Sequence, residues 1–259
     1  SFEEEPVLLL GETGVGKSFT AKLIHHFSGR KGRFVNAGAP NIQETLFEST
    51  LFGHKKGSFT DAYSDKTGLV QEAENGTLFI DEIAEVPLSS QAKLLSFIET
   101  KKYRVLGESV EREANIRIIS ATNVDLVDAI QKRQFREDLF YRLSILELKI
   151  PPLRERKEDI RDLVMANRNF LKGKALTTDF WTALADYDWP GNIRQLYTVL
   201  KQAGILLDSP IDGTGISELI RKSAAANPNP AMLYGGMPAA DNSQIDRFWS
   251  KIESGLCYW

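Results

Sequence analysis

Eight consecutive residues of the sequence match a phosphate-binding pattern, G-x-x-x-x-G-K-[ST]. The match directly follows an apolar run, Val7–Leu10, and directly precedes a helical pattern, which is the context that confirms such a motif. Glycines allow successive backbone N–H groups to surround a phosphate, and the positive end of a helix attracts the same anion. Lys17 is expected to span the β- and γ-phosphates and the Ser18 hydroxyl to ligate magnesium; a glycine-rich turn without a ligand is the structural alternative. The motif comprises Gly11, Glu12, Thr13, Gly14, Val15, Gly16, Lys17 and Ser18.

Two adjacent carboxylates supply the acidic groups that hydrolysis of a bound nucleotide requires. The apolar run at residues 77–80 predicts a strand, and Asp81 and Glu82 follow it directly. Neighbouring side chains of a strand point to opposite sides, so the two carboxylates are able to take different roles. Asp81 is expected to hold the magnesium shell and Glu82 to polarise the attacking water as general base. An acidic pair at the start of a helix is the alternative interpretation.

The residues after another predicted strand, 116–120, bear on the choice of nucleotide. Residues 122–125 read Thr-Asn-Val-Asp and lack the lysine of an Asn-Lys-x-Asp guanine reader, so ATP is favoured over GTP. Thr122 and Asn123 lie at the predicted strand end, within reach of a γ-phosphate or of the water. Polar strand ends occur in any α/β protein. The spacing alone therefore does not decide between a nucleotide-contacting pair and an ordinary polar strand end.

Short apolar runs that alternate with helical patterns position these residues. The runs are rich in branched side chains and nearly free of alternation, which is typical of parallel strands buried on both faces. The predicted fold class is α/β, a doubly wound layer of strands and helices. Pro151 and Pro152 end this pattern, and residues 159–171, 178–187 and 192–207 then predict helices of a small second domain. The five runs lie at 7–10, 33–35, 77–80, 116–120 and 145–148.

Three parts of the chain are predicted from these changes in pattern. Residues 1–150 form the α/β part, residues 151–207 the helical part and residues 208–259 a linker with the start of a truncated region. Prolines and glycines in an Ala- and Asn-rich stretch predict loop or linker from Asp208 onward. The last residues, among them Trp249 and Trp259, are too apolar for a frayed end and predict a further element.

Composition excludes several classes of function. The 32 Lys and Arg nearly balance the 35 Asp and Glu, for a net charge of −3, so no overall positive field attracts nucleic acid. A single cysteine, Cys257, and three histidines exclude an internal disulfide and a zinc cluster of recognisable spacing. No apolar run approaches the roughly 20 residues that span a bilayer, and the first residues are acidic rather than a basic leader. A cytoplasmic protein without a membrane partner, or a piece of one, is expected.

Over about residues 6–205 the chain resembles the AAA+ ATPase domain of bacterial enhancer-binding proteins, the NtrC-like activators of sigma-54 RNA polymerase. The resemblance implies a P-loop AAA+ parallel sheet sandwiched by helices and followed by a small all-helical lid domain. It implies ATP and Mg²⁺ as ligands. The matching segments are 51–54 (Leu-Phe-Gly-His), 57–62, 76–83, 135–139 (Phe-Arg-Glu-Asp-Leu), 151–156 (Pro-Pro-Leu-Arg-Glu-Arg) and 189–194 (Trp-Pro-Gly-Asn-Ile-Arg).

The resemblance assigns roles to individual residues. Asn36 corresponds to the asparagine that hydrogen-bonds the catalytic glutamate and gates it according to the nucleotide state. Thr122 and Asn123 match the sensor at the fourth strand, and Arg194 matches the lid arginine that senses the γ-phosphate. Arg136 and Arg142 match the finger arginines that reach the neighbouring subunit's nucleotide.

Helix geometry constrains the two finger arginines without reference to the family resemblance. Six residues apart on an unbroken helix, Arg136 and Arg142 are separated by about 240° around the axis, so they cannot share one face. At most one of them is expected to point at phosphate unless the helix is interrupted. Exposed ion-pair arginines are the alternative interpretation.

The segment 57–62 corresponds to the family's sigma-54 contact loop, which reads Gly-Ala-Phe-Thr-Gly-Ala. Ser58 replaces the first alanine and Asp61 the second glycine, which adds a negative charge that Lys55 and Lys56 could offset. Residues 103–112 lie where the family has a second surface loop, with a solvated hairpin as the alternative. The contact-loop residues are Gly57, Ser58, Phe59, Thr60, Asp61 and Ala62.

The implied function is a Mg²⁺-dependent ATPase that forms a ring of six or seven subunits and remodels the sigma-54 RNA polymerase holoenzyme to start transcription. The alternative is a nucleotide-gated AAA+ regulatory or chaperone-like module that does not engage sigma-54 because of Asp61. No helix-turn-helix is legible after Leu207, so DNA contacts are expected only through a region outside this chain. The strand at Val7–Leu10 begins so close to Ser1 that adenine contacts cannot be assigned from the sequence.

Overall fold

The computed structural model describes residues 4–39 and 46–225. The apolar residues predicted to begin a further element, including Trp249 and Trp259, lie outside these ranges. In chain order the described strands are β1 (Val7–Leu10), β2 (Phe34–Gly38), β3 (Gly53–His54), β4 (Lys66–Thr67), β5 (Thr77–Asp81), β6 (Lys102–Arg104), β7 (Glu111–Glu113), β8 (Arg117–Thr122) and β9 (Leu146–Lys149). The described α-helices are α1 (Lys17–Phe27), α2 (Phe47–Phe52), α3 (Leu69–Glu72), α4 (Leu88–Thr100), α5 (Leu126–Gln131), α6 (Glu137–Leu143), α7 (Asp159–Ala166), α8 (Thr178–Asp186), α9 (Asn192–Leu206) and α10 (Gly213–Ala225).

Five strands form a parallel sheet in the order β2-β5-β8-β1-β9. The predicted α/β fold is confirmed, and each of the five predicted apolar runs overlaps one of these strands. The register pairs Leu10 with Thr122 and Gly38 with Asp81, so the carboxyl ends of neighbouring strands meet at one edge. The segments that follow β1, β5 and β8 are therefore brought together there.

Helices cover both faces of the sheet. Leu78 and Ile80 of β5 are fully buried in the larger core, which α2, α4 and α6 complete. Leu9 and Phe79 point to the other face, where Ala21 of α1 packs against them. Because alternate residues of one strand serve two cores, the strands carry continuous apolar runs rather than an alternating pattern.

The helical domain has a core of its own. Trp189 is fully buried in it, and its indole nitrogen donates a hydrogen bond of 2.8 Å to the carbonyl oxygen of Leu184. The single helix predicted at residues 159–171 is divided: α7 ends at Ala166 and a 3₁₀ turn follows at Arg168–Leu171. Asn167 lies at the break, where its side-chain amide donates to the Leu163 carbonyl and competes with the helix for that acceptor.

The loop or linker predicted from Asp208 onward is wrong for residues 213–225, which form α10. Ile216, Leu219 and Ile220 of this helix are buried in the helical domain's core. The three residues have helical spacing, and most of the prolines and glycines on which the linker prediction rested follow this helix in the sequence. The helical domain therefore includes residues beyond the predicted limit at 207.

Two short antiparallel hairpins lie outside the main sheet, β3 with β4 and β6 with β7. The backbone between the strands of one hairpin is bonded to that of the other. The Lys55 N–H donates to the Leu106 carbonyl oxygen over 2.9 Å, and the Leu106 N–H donates to that of Gly53 over 3.0 Å. The predicted contact loop and the predicted second loop are thus attached side by side.

Candidate active site

The phosphate-binding motif forms a tight loop between β1 and α1. Gly14 and Gly16 have φ angles of 81° and 108°, in the left-handed region that glycine adopts without a steric penalty. Gly16 is the N-cap of α1, and no side chain caps the helix there. The first N–H groups of an α-helix have no partner within the helix, so this end offers donors and a positive dipole to an anion.

Lys17 at the end of the phosphate loop faces Glu82, which follows β5. Lys17 is only 6% exposed, and its Nζ donates to the Gly11 carbonyl oxygen over 2.9 Å and lies 3.8 Å from Oε1 of Glu82. Burial lowers the pKa of Lys17 and raises the pKa of Glu82, and the attraction between the two charges opposes both shifts. A raised pKa brings a carboxylate closer to the range in which it exchanges protons efficiently near neutral pH.

Ser18 and Asp81 are the predicted magnesium ligands. The Ser18 hydroxyl donates to Oδ2 of Asp81 over 3.3 Å, and Oδ1 of Asp81 accepts from the Glu82 backbone N–H over 3.2 Å. A hydroxyl and a carboxylate are hard oxygen ligands of the kind that Mg²⁺ takes alongside substrate phosphates. The side chains present therefore fit magnesium.

The backbone at Glu82 is left-handed. Its φ of 53° is unusual for a residue with a side chain, and the residue begins a 3₁₀ turn at Ile83–Glu85. Such a conformation costs about 1–3 kcal/mol and persists where the surrounding structure imposes it. Asp81 is the last residue of β5, but Glu82 does not continue the strand geometry, because the chain turns at Glu82.

The end of β8 contributes the predicted sensor residues. Asn123 donates from its side-chain amide to Oγ1 of Thr13 over 2.9 Å and from its backbone N–H to Oε2 of Glu82 over 3.3 Å. Thr122 is fully buried, and its carbonyl oxygen accepts from the Gly11 N–H over 3.3 Å. Asn123 therefore contacts both Thr13 of the phosphate loop and Glu82, the candidate base.

The helical domain closes over the phosphate loop through bonds to Glu12. Arg154 binds the Glu12 carboxylate through two nitrogens, at 2.6 and 2.9 Å, and Asn192 donates to the same carboxylate over 3.1 Å. The hydrogen bond from Arg154 is the main reason that the pKa of Glu12 is lowered. Arg156 donates to the Val15 carbonyl oxygen over 2.7 Å. The sequence motifs contained Arg154, Arg156 and Asn192 but assigned them no role; the only available signal was the basic pair after Pro151 and Pro152.

Arg194 lies beside the same loop. A Cβ atom built on Gly14 would come within 3.0 Å of the Arg194 Cβ, and the positive charge of Arg194 contributes to the lowered pKa of Lys17. The predicted lid arginine is therefore in the neighbourhood of the phosphate loop.

Asn36 is not bonded to Glu82 in this structure. It is an exposed residue of β2 that pairs with Phe79 of β5, and no hydrogen bond between its side chain and Glu82 occurs in the described part of the chain. Glu82 instead contacts Lys17 and the Asn123 backbone. The gating role of Asn36 stays a prediction.

The two predicted finger arginines have different surroundings. Arg136 precedes α6 with an extended backbone, and its exposed guanidinium binds Asp138 at 3.0 and 2.7 Å. Arg142 lies in the last turn of α6, half buried, with Nε enclosed and without a hydrogen-bond partner among the described residues. The helical-wheel argument does not apply, because Arg136 lies outside the helix.

The predicted contact loop is closed by backbone bonds. The Gly57 N–H donates to the Ala62 carbonyl oxygen over 2.8 Å, and the Ala62 N–H to that of Phe59 over 3.0 Å. Phe59 is half buried, with its ring 4.9 Å from the His54 ring in an edge-on arrangement, whereas Asp61 is exposed. The ring of His54 therefore partly covers Phe59.

The second loop, residues 103–112, packs against the contact loop. A Cβ on Gly107 would lie 2.9 Å from the Cβ of Ser58, so these two residues touch. Lys55 pairs with Asp65 at 2.8 Å and with Glu108 at 3.4 Å, so its bonded partners are these two carboxylates and not Asp61. A shift of one loop must therefore displace the other.

Fold and site together define a P-loop domain of the AAA+ type with a helical lid. Residues 2–149 match the family model described as "Sigma-54 interaction domain", and residues 154–231 match that of the "AAA+ ATPase lid domain". The first match covers more than half of the chain. The chain therefore belongs to the sigma-54 interaction domain family, whose relatives are transcriptional regulators.

Similar proteins extend beyond this chain. The alginate biosynthesis transcriptional regulatory protein AlgB of Pseudomonas putida is 44% identical over 209 residues, which cover 77% of this chain and 46% of AlgB. The transcriptional regulatory protein GlrR of Escherichia coli K12 is 43% identical over 87% of this chain and 52% of its own length. NtrX from Brucella abortus, solved in complex with ATP, superposes with a TM-score of 0.73 at 28% identity, over 97% of this chain and 59% of that chain.

The chain thus spans about half the length of the curated relatives it matches. None of the helices in residues 4–39 and 46–225 combines the length and apolar character needed to cross a membrane.

Proposed function

We propose that this chain binds and hydrolyses ATP with Mg²⁺ in an oligomeric ring and uses the hydrolysis cycle to remodel the sigma-54 RNA polymerase holoenzyme. The observation that carries the proposal is the meeting of Lys17, Ser18, Asp81 and Glu82 at the carboxyl edge of the sheet. These are the groups that phosphate binding, magnesium coordination and activation of water require. ATP-bound NtrX, which has the same fold, supports the choice of nucleotide.

Each side chain has a defined task in this scheme. The N–H groups at the start of α1 and Lys17 would bind the phosphates, while Ser18 and Asp81 would hold magnesium, which would supply positive charge to the phosphate oxygens. Glu82 accepts a proton from the attacking water, and Asn123 orients the Glu82 carboxylate through its backbone N–H.

The position of Arg136 supports the proposed ring. Its guanidinium is exposed and, in the described part of the chain, hydrogen-bonds Asp138 and no residue of its own phosphate loop. An arginine supplied in trans is worth about 10³ to 10⁵ in turnover in GTPases. We infer that Arg136 leaves Asp138 and binds the nucleotide of a neighbouring subunit, so that hydrolysis depends on assembly.

Turnover per subunit, measured against protein concentration, tests the ring. We expect it to rise steeply as subunits associate and then to level off, with sedimentation velocity on the same samples reporting the assembly. Turnover that is independent of concentration, in samples that sediment as monomers, would remove the trans arginine from the proposal.

The contact with sigma-54 is assigned to residues 57–62. Phe59 rests on His54 at the loop's base, and the second loop connects through Gly107 and Glu108, so both loops are able to move as one unit. Asp61 is exposed at the tip and carries a negative charge that the family's glycine lacks. A partner surface with a basic patch would tolerate this charge.

Asp61 is also the observation that favours the second candidate, a nucleotide-gated AAA+ module with a different client. Binding to purified sigma-54 on native gels, with ADP and a metallofluoride, separates the two candidates. Binding by the parent chain supports the polymerase remodeller. Binding by Asp61→Gly alone supports the second candidate, and Asp208→Gly, an exposed aspartate outside both loops, serves as the control for the loss of one negative charge.

A further inference from the structure

A buried glutamine connects the segment that carries the candidate base to the segment that carries the first candidate finger arginine. Gln91 lies in the first turn of α4 and is 0% exposed. All three hydrogen bonds of its side-chain amide go to backbone atoms of these two segments. Nε2 donates to the carbonyl oxygens of Val86 at 3.0 Å and Gln134 at 3.2 Å, and Oε1 accepts from the Arg136 N–H at 2.9 Å.

On one side, Gln91 anchors the turn that begins at Glu82. The Glu85 N–H donates to the Glu82 carbonyl oxygen over 2.9 Å, and the Val86 N–H donates to that of Ile83 over 3.2 Å. Val86 is buried and ends the turn, and its own carbonyl oxygen is the acceptor for Gln91. The Gln91 amide thus holds the end of the turn whose first residue is the left-handed Glu82.

On the other side, Gln91 fixes the backbone of Arg136. The N–H groups at the start of a helix lack partners within the helix, and Gln91 supplies the acceptor for the one at Arg136. The neighbouring Phe135 is buried in the sheet's larger core. The root of the Arg136 side chain is therefore rigid, although its guanidinium is exposed.

The hydrogen bonds define the orientation of the amide. Nε2 lies between two carbonyl oxygens and Oε1 faces an N–H, so the reversed amide would place like groups against each other. A glutamate has no donor for the two carbonyl groups, and a methionine of similar length has neither donor nor acceptor. No other natural side chain of this length reproduces all three bonds.

We propose that Gln91 is a positioning residue that couples the nucleotide site of its own subunit to the arginine finger directed at the next one. A displacement of the turn at Glu82 moves Val86, and the shared amide passes the movement to Arg136. The inference rests on the proposed function, because it requires that Arg136 act in trans.

Replacement of Gln91 by methionine tests this coupling. A misplaced finger weakens the transition state, so kcat is expected to fall by about 10- to 100-fold, while KM for ATP stays within about twofold because the phosphate contacts are intact. Ser90→Ala is the matched control, since Ser90 is the neighbouring buried polar residue of α4 and makes no bond to either segment. Circular dichroism and sedimentation report whether the variants fold and assemble. If the Gln91→Met chain does not fold, Gln91→Glu, which keeps the hydrogen-bond acceptor, takes its place.

Mixed assemblies distinguish a finger defect from damage to the subunit's own site. The Gln91→Met subunit keeps Glu82, and a Glu82→Gln subunit keeps its finger. Where the finger of a Glu82→Gln subunit reaches the nucleotide site of a Gln91→Met subunit, an intact base therefore meets an intact finger. With Glu82→Gln in excess, turnover per Gln91→Met subunit is expected to approach the parent's, about 10- to 100-fold above that of the Gln91→Met chain alone, if the finger is what failed. An Arg136→Ala subunit mixed with Glu82→Gln is the reference for complete loss of the finger.

Three outcomes are informative. Recovery in both mixtures supports Gln91 as the coupling residue. Recovery with Arg136→Ala but not with Gln91→Met, or a Gln91→Met chain with the parent's kcat, overturns the inference and leaves the proposed function intact. Failure of the Arg136→Ala mixture to recover overturns the trans arginine itself, and the inference with it.

Discussion

Gly14 of the phosphate loop and Gly57 of the contact loop have nearly the same left-handed φ, 81° and 82°, in opposite surroundings. A Cβ on Gly14 would lie 2.6 Å from the Gly191 carbonyl oxygen, whereas a Cβ on Gly57 would meet no atom within 4 Å. The same backbone turn is enclosed by the helical domain in one place and open to solvent in the other. In the proposed function, the enclosed loop holds the nucleotide and the open loop meets the partner.

The bonds around the two loops differ in the same way. Arg156, Asn192 and Ile193 of the helical domain all bond to the backbone of the phosphate loop, and Lys17 is almost completely buried. The contact loop is joined to its surroundings by the ion pairs of Lys55, which solvent and salt screen, and by the backbone bonds that link Lys55 and Gly53 to Leu106. Segments with few buried contacts open at low free-energy cost. In the proposed function, the contact loop is therefore the one expected to move during a reaction cycle.

The largest expected effect is on the enclosed side, from Glu82→Gln. Removal of the proton acceptor is expected to lower ATP turnover by about 10²- to 10⁴-fold, while nucleotide affinity is kept because the amide has the same shape. Phosphate release and binding of a fluorescent ATP analogue measure the two quantities. Glu85→Gln, an exposed glutamate in the same turn, is expected to match the parent. A Glu82→Gln chain with a third of the parent's turnover would show that another group accepts the proton.

The glycine pair tests the comparison directly. Alanine at either position pays the left-handed strain of roughly 1–2 kcal/mol, but at Gly14 it also collides with Gly191, which adds about 1–3 kcal/mol. Gly14→Ala is therefore expected to lower the free energy of unfolding more than Gly57→Ala, and it alone weakens ATP binding. Urea unfolding and nucleotide titration of both variants provide the measurement. Equal losses would mean that the helical domain does not press on the phosphate loop in solution.

The smallest effect is expected from Glu12→Gln, at the bond between the loop and the helical domain. The pKa of Glu12 is lowered in the folded chain, so its charge stabilises the fold above the ordinary glutamate pKa near 4.3, and this contribution is lost as the pH falls through the lowered folded value. Glu12 is 43% exposed, so screening keeps the contribution small. Thermal unfolding midpoints should differ between parent and variant by at most a few degrees at pH 7 and converge in acid. A difference that grows in acid would have the wrong sign for this bond.

Much of the nucleotide site was predictable because its parts are local. A run such as residues 11–18 encodes a loop, its ligand groups and the start of a helix within one segment, and the buried strands β1, β5 and β8 have unmistakable apolar runs. Helix α10 was not predicted because the linker prediction rested on the prolines and glycines that follow the helix, Pro228 to Pro238, and was extended back over it. Gln91 also went unnoticed, although its spacing from Leu94 and Ile98 places it on the buried face of α4.

The sequence by itself determined the groups that this protein has for its chemistry: a phosphate loop, a pair of carboxylates after a strand, and the sequence motifs of a sigma-54 interaction domain. Only the tertiary structure decided which groups meet, with Glu82 beside Lys17, Glu12 held by Arg154, and Gln91 between Val86 and Arg136. The physical reason is that a motif records neighbours along the chain. Hydrogen bonds and burial depend on distances between segments that the sequence places far apart, and folding alone sets those distances.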